Sequence, residues 1–319
     1  MDLMQLAGLP FLPDSFPLPL DRPFTYQLAR AQGLRQRELT WLTAEGFLRR
    51  PIKSVYVDSR LPDTIDLRCA CLRLVVPPDA VVCDRHAGWL AGATMVLEPG
   101  EHLALAPISM YLPAGRRLRN DLADSGERRL RPEDVMEIGG LRVTTPVRTA
   151  WDLGRDRWVD RSLAAVDQML RLGAFSPAEL AAGLPRFKGM RWVTVLRAVV
   201  PLADGRAESP PESVLRLRWI EANVPAPTPQ LDVWAQGRFL ARLDLGNPEL
   251  RFGAEYDGDE WHSTPEQIAH DRVRRAAVRD EGGFHVVALR KEQVFGPAQC
   301  AERLIREGAA EARRRFGSL

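Results

Sequence analysis

A chain of 319 residues is longer than one average domain, so two or three folded units are expected. A hydrophobic content of 45% allows a sizeable core, while a net charge of +2 selects no class of partner because the basic residues are unevenly placed. No uninterrupted apolar run of about twenty residues occurs, which excludes an ordinary membrane span and leads to the expectation of a soluble protein.

The first residues, MDLMQLAGLPFLPDSFPLPLDRP, lack a basic leader and are broken by prolines at 10, 13, 17, 19 and 23. They read as a loosely ordered arm over 1–22, not a signal peptide. From Phe24 the pattern turns helical: FTYQLARAQG predicts a short helix stopped by Gly33, and LRQRELTWLTAEGFLRR a second, with Leu39, Leu42 and Phe47 in register. PIKSVYVDS then reads as a strand pair. Helix, turn, helix and basic wing outline a winged helix-turn-helix over 23–68. Arg35, Arg37, Arg49, Arg50 and Lys53 put positive charge where a duplex backbone would lie, with Arg35, Arg37 and Lys53 the candidate DNA contacts. A solvated basic face, or a fold used for protein contacts, reads equally well from this stretch.

Residues 69–200 form a mixed α+β middle block without a catalytic constellation. LRLVVPPDAVVCDRHAGWLAG joins a strand to a helix bearing His86 and Trp89. A further strand precedes VMEIGGLRVTTPVRTAWDLGR, whose helix opens at Thr144-Thr145-Pro146, and Ser176-Pro177 opens another. His86 reads as structural, and Trp89, Trp151 and Trp158 as core. Three of the four cysteines (Cys69, Cys71, Cys83 and Cys300) sit in apolar, strand-like stretches; their spacing suits neither a zinc site nor a disulfide framework. Buried free thiols and a reducing, cytoplasmic setting are expected. PLADGRAESPP, 201–211, reads as a linker.

The last part, 212–319, gives the order α-β-β-β-α-β-α: a helix capped by Ser209, a three-stranded meander, a crossover helix that places a final strand beside the sheet, and a closing helix. The fold class is therefore α/β, in the sense of a multi-domain α+β chain. At the centre is RFLARLDLGNPELRFGAEYDGDEWH. Period two puts Phe239, Ala241, Leu243 and Leu245 on one face, and Leu250, Phe252, Ala254 and Tyr256 on one face of the next strand. Pairing these strands would gather Asp244, Glu255 and Asp257, three carboxylates that repel unless a cation joins them. A hard divalent metal is the natural candidate. Surface ion pairs with Arg242 and Arg251 are the plainer alternative.

Two resemblances bear on these readings. The run Thr25–Val57, the block Asp84–Gly92 (DRHAGWLAG) and the block Arg142–Ala150 (RVTTPVRTA) resemble AbiEi-type antitoxins of bacterial type IV toxin–antitoxin systems over roughly residues 20–200. That resemblance implies an N-terminal domain that binds operator DNA, and a cognate toxin or defence protein as partner. Ser209–Glu212, Arg242–Leu245, Glu255–Gly258, Trp261-His262 and Asp271-Arg272 resemble the PD-(D/E)XK nucleases, in particular the very-short-patch-repair-like branch. It implies a Mg²⁺- or Mn²⁺-dependent endonuclease in which Asp244, Glu255 and the Tyr256 carbonyl hold the metal. His262 would serve as general base or protonate the leaving oxygen, with Asp257 a further ligand or an orienting group for His262. Glu212 would hold a metal-bound water or second metal, or simply favour its helix dipole. Arg272, Arg274, Arg275 and Arg279 would contact phosphates. The usual lysine is replaced by Asp257, which keeps open a DNA-binding repressor or antitoxin with an inactive nuclease-like domain, or a domain that only binds a partner protein. The oligomeric state is not legible.

Overall fold

The computed structural model describes residues 6, 8–105, 107–113, 118, 123–126, 128–258, 265–297 and 300–317; the side chains of 125–126 and 265–272 lie outside that description. The chain is mixed α/β and divides into two compact units, Met1–Leu153 and Gly154–Leu319.

The first unit begins with β1 (Phe24–Thr25), α1 (Tyr26–Ala31), α2 (Gln36–Ala44), β2 (Leu48–Ile52) and β3 (Val55–Asp58). Thr25 caps α1 by accepting the Leu28 N–H, and β1, β3 and β2 form a small antiparallel sheet. Two short helices are thus followed by a strand pair. The loose arm anticipated at 1–22 is a packed segment among its described residues: Leu6, Leu12, Phe16 and Leu18 join Phe24, Leu39, Leu42 and Tyr56 in one core. Its prolines set bends between buried apolar residues, and an unfolded arm would leave those side chains in water.

The unit continues through α3 (Ile65–Arg73), β4 (Val81–Val82), α4 (Asp84–Leu90), β5 (Ile108–Tyr111), β6 (Ala123–Gly126), β7 (Val135–Ile138), β8 (Leu141–Thr144) and α5 (Pro146–Leu153). The strands make one sheet in the order β6-β5-β4-β8-β7. Cys69 and Cys71, expected in a strand, lie on α3; both are buried, and all four cysteines are free. His86 is fully buried, accepts the Ser109 N–H at Nδ1 (3.1 Å), and is driven by burial down to about 4. Beneath the sheet, Arg148 bonds Asp152 (2.8 Å) and Asp134 (2.9 Å), and the Tyr111 hydroxyl reaches Asp84 and Asp152. A buried charge is tolerated only with such partners.

The second unit opens with α6 (Val159–Arg171), α7 (Pro177–Ala182) and α8 (Val193–Val199), then α9 (Pro210–Glu221). Residues 201–211, expected to be a linker, are packed instead. Asp204 N donates to Asp167 (2.8 Å), Arg216 on α9 donates to Leu202 O and to Asp167 (2.6 Å), and Gly205 lies so close to α6 that a Cβ there would be 2.8 Å from Arg171 N. Next come β9 (Thr228–Ala235), β10 (Arg238–Asn247), β11 (Phe252–Asp257), α10 (Pro265–Asp280), β12 (His285–Arg290), α11 (Lys291–Val294) and α12 (Cys300–Phe316). The sheet order is β12-β11-β10-β9, antiparallel except for the parallel β11–β12 pair, as the crossover through α10 requires. Among the described residues, none of the helices is long and apolar enough to cross a membrane.

Two apolar clusters flank this sheet. Trp219, Leu245, Phe252, Ala254, Leu289 and Ile305 form the larger, and Val233, Ala241, Leu243 and Val278 the smaller. Gly308 lets α12 approach, since a Cβ there would lie 2.6 Å from the Phe252 ring and 3.0 Å from Val287. Gly308→Ala gains about 1 kcal/mol of helix propensity, but overpacking costs about 1–3 kcal/mol and the ring has little room to yield. The expected result is a net loss of stability in urea titration, partly restored by adding Phe252→Leu.

Candidate functional site

The two central strands of the second sheet create the site. β10 and β11 pair through Asn247↔Phe252, Gly246↔Gly253 and Leu245↔Ala254. Beyond Leu245 the backbone ladder gives way: the Tyr256 N–H donates to the Asp244 carboxylate (2.8 Å). The expected alternation also breaks here. Leu243 joins the smaller cluster and lies where a Cβ on Gly253 would meet it (2.6 Å), whereas Leu245 joins the larger. Strict period two places both on one face. The switch across Asp244 turns its carboxyl in between the strands.

Glu255 is 8% exposed and is held by both nitrogens of one guanidinium, Arg274 Nη1 and Nη2 at 2.9 and 3.3 Å. That cation comes from α10, not from the sheet. Glu212 on α9 is the third carboxylate. It accepts from the Ser209 hydroxyl (2.7 Å), Glu208 N (2.8 Å) and Gln230 Nε2 (2.7 Å). The Asp244 carboxyl is pushed up to about 7, first by burial and then by the negative charges of Glu212 and Glu255; the Tyr256 N–H and Arg274 offset only part of this.

The group differs from the expected trio. Asp244 and Glu255 lie on paired strands, and the other acid whose charge raises Asp244 is Glu212. Asp257 sits half-buried toward Arg275, 3.8 Å away. Arg242, one candidate neutraliser, pairs with Asp232 at 2.7 Å instead. Arg279 pairs with its neighbour Asp280 (2.7 Å). His262 and the side chain of Arg272 lie outside the described residues. Sequence reasoning missed the Arg274–Glu255 clamp and the Gln230–Glu212 bond. Ser209 and Glu212 signalled a capped helix, but nothing local to Glu255 pointed to a partner nineteen residues on.

Among the described residues, three His, Cys, Asp or Glu side chains nowhere converge as a ready metal cage. The donor set still suits a hard divalent ion. Mg²⁺ commonly keeps several waters and uses only one or two carboxylates, and buried Glu255 and half-buried Asp244 are oxygen donors whose mutual repulsion a cation would relieve.

In the first unit, Arg35 and Arg37 stand exposed at the start of α2, and Lys53 is exposed at the β2–β3 turn, where Ser54 takes a positive φ of 69°. Arg49, counted with them in the basic cluster, donates to Leu61 O.

The fold thus defines a multi-domain α+β protein that brings the carboxyls of Asp244, Glu255 and Glu212 into one neighbourhood at its last sheet. Residues 80–202 match the AbiEi antitoxin C-terminal domain family, from β4 in the first unit through α8 in the second. The chain is also 28% identical over 281 residues to uncharacterized proteins of Mycobacterium tuberculosis strains CDC 1551 and H37Rv, covering 86% of this chain and 97% of each relative.

A pH-dependent stability follows from Asp244. Its folded pKa lies above the ordinary carboxylate value of 3.8, so the folded state holds this proton more tightly than the unfolded chain. Ionisation therefore weakens the fold as pH rises from about 4 to about 7, by up to about 4 kcal/mol at about 1.4 kcal/mol per unit. Asp244→Asn keeps an acceptor for the Tyr256 N–H without the charge. Thermal melts should show the variant more stable than wild type at pH 8, with the gap closing toward pH 4.

Proposed function

We propose that this protein is a DNA-acting, metal-dependent endonuclease in which an antitoxin-type region accompanies a PD-(D/E)XK-like domain. The observation that carries the reading is the half-buried Asp244 carboxyl, pushed up to about 7 by desolvation and by the charges of Glu212 and Glu255. A carboxyl perturbed by desolvation and by neighbouring acids favours a functional site over a structural pair. Asp244 and Glu255, with the Tyr256 carbonyl, would hold Mg²⁺ or Mn²⁺. Such an ion, when bound, supplies a Lewis acid for a phosphodiester oxygen and a water of lowered pKa. Glu212, anchored by Ser209 and Gln230, keeps negative charge facing Asp244 and has donors enough to stay fixed. His262 is the candidate general base. Asp257, in the place of the usual lysine, is turned toward Arg275 and would orient that cation.

Duplex and single-stranded DNA incubated with Mg²⁺ or Mn²⁺ test this directly. Wild type should cut, while Asp244→Asn and Glu255→Gln should each lose about 100-fold or more in rate. Absence of cutting by all three, together with a discrete operator footprint, would overturn the nuclease.

The second reading is a DNA-binding regulator with a cognate toxin as partner and a silent last domain. The family match at 80–202 and the neutralisation of Glu255 by Arg274 favour it. Both readings place DNA against the first helix pair. Arg35→Glu with Arg37→Glu should weaken duplex binding, and the slope of log affinity against log salt should flatten by roughly 1 per lost phosphate contact, or about 2 in all. An unchanged slope would remove α2 from the DNA interface.

A further inference from the structure

We propose that Arg274 is the built-in competitor of the metal ion for Glu255, and that loading the site frees its guanidinium for the substrate phosphate. This rests on the nuclease reading above. Three observations carry it.

The first is occupancy. Glu255 is nearly buried, and both its oxygens are taken by the two terminal nitrogens of one arginine. A guanidinium remains charged at any pH a folded protein meets, so it cannot leave by losing a proton. A divalent cation against Glu255 would face that fixed positive charge at contact distance. Entry of the metal thus works against the two Arg274–Glu255 bonds, by charge repulsion and by competition for the same two oxygens.

The second is placement. Arg274 projects from α10, the crossover helix, while position 257 on β11, two residues past Glu255, carries an acid. The strand offers no cation of its own at the place where phosphate-binding charge is needed. Arg274 supplies one from the neighbouring helix, half-buried at 27% side-chain exposure and close enough to act on Asp244 as well as Glu255.

The third is geometry of exchange. The fork that grips a carboxylate with two parallel N–H bonds grips a phosphodiester in the same way. Once displaced from Glu255, the guanidinium remains tethered beside the scissile position and has a substrate oxygen as its next partner. Arg275, directed at Asp257, flanks it. Arg274 is therefore a positioning residue that exchanges the Glu255 carboxylate of the unloaded site for a phosphate in the loaded one.

The test is calorimetric titration of Mn²⁺ into the full chain, comparing wild type with Arg274→Ala, Arg274→Lys and Asp244→Asn. Arg274→Ala should bind Mn²⁺ about tenfold or more tightly than wild type, since a charge-assisted competitor has been removed. Arg274→Lys, which cannot clamp both oxygens, should fall between, and Asp244→Asn should lose binding. On duplex DNA, Arg274→Ala should show a KM raised about tenfold. Tighter metal and weaker substrate together are a signature that a merely structural arginine would not produce. Equal or weaker Mn²⁺ binding by a folded Arg274→Ala, with wild type still binding, would overturn the competition and leave the nuclease reading standing. If Arg274→Ala does not fold, the same comparison falls to Arg274→Lys. No Mn²⁺ binding by wild type or either Arg274 variant would overturn both.

Discussion

The arrangement of the second unit depends on one unfavourable juxtaposition, a half-buried carboxyl (Asp244) and a buried one (Glu255) brought near each other where β10 and β11 part. Asp244 and Glu255 are adjacent because their strands pair, and the strands pair because both sides of the sheet bury apolar clusters. Burial of Leu245, Phe252, Trp219 and their neighbours contributes roughly 1.5–3 kcal/mol per large side chain. Repulsion between two acids, one of them partly solvated, is of the order of one such side chain. The core therefore dictates the geometry, and the charges have to accommodate it.

The molecule shows two ways of accommodating buried charge. Around Arg148 and around Asp167 the ions are saturated: Arg148 reaches two carboxylates, and Asp167 accepts from Arg216 and from the Asp204 backbone. Removing one partner there strands a charge, which is the costly case. The carboxylates of β10 and β11 are treated differently. Glu255 has a full partner in Arg274, but Asp244 has a single backbone N–H and two acids facing it. The distinction between a strut and a site lies in this incomplete compensation, more than in the presence of charged residues.

Much of this was legible in the sequence, for reasons that can be named. The order of elements in the last unit follows from hydrophobic periodicity and from capping signals such as Ser209-Pro210, and it gives the sheet with its single parallel pair. The pairing of Asp244 with Glu255 follows from the two runs around Gly246-Asn247-Pro248. What failed was whatever depended on tertiary context. Strict alternation put Leu243 and Leu245 together, but the fold assigns them to opposite clusters, and no local residue announces that switch. Asp257 was grouped with the site because it shares parity with Glu255, yet the helix behind the strand draws it toward Arg275. The proline-rich start and the 201–211 segment were read from composition as loose and linking; composition does not reveal that Leu12, Phe16 or Gly205 find a surface to pack on.

The two functional readings meet at Asp244. As a scaffold, the site needs only an acceptor for the Tyr256 N–H, and an asparagine would supply one with no charge to bury. An aspartate in that position costs the fold stability at neutral pH and returns nothing structural. Stability surrendered at a particular side chain is the usual accompaniment of a binding or catalytic role. Arg274 argues the same way. Were its purpose to silence Glu255, a neutral residue at 255 would achieve that with less burial of charge. A carboxylate and a guanidinium kept together, each able to exchange its partner for a cation or a phosphate, make physical sense where both exchanges occur. The family match at 80–202 concerns a different part of the chain and is compatible with a DNA-directed enzyme as well as with a regulator.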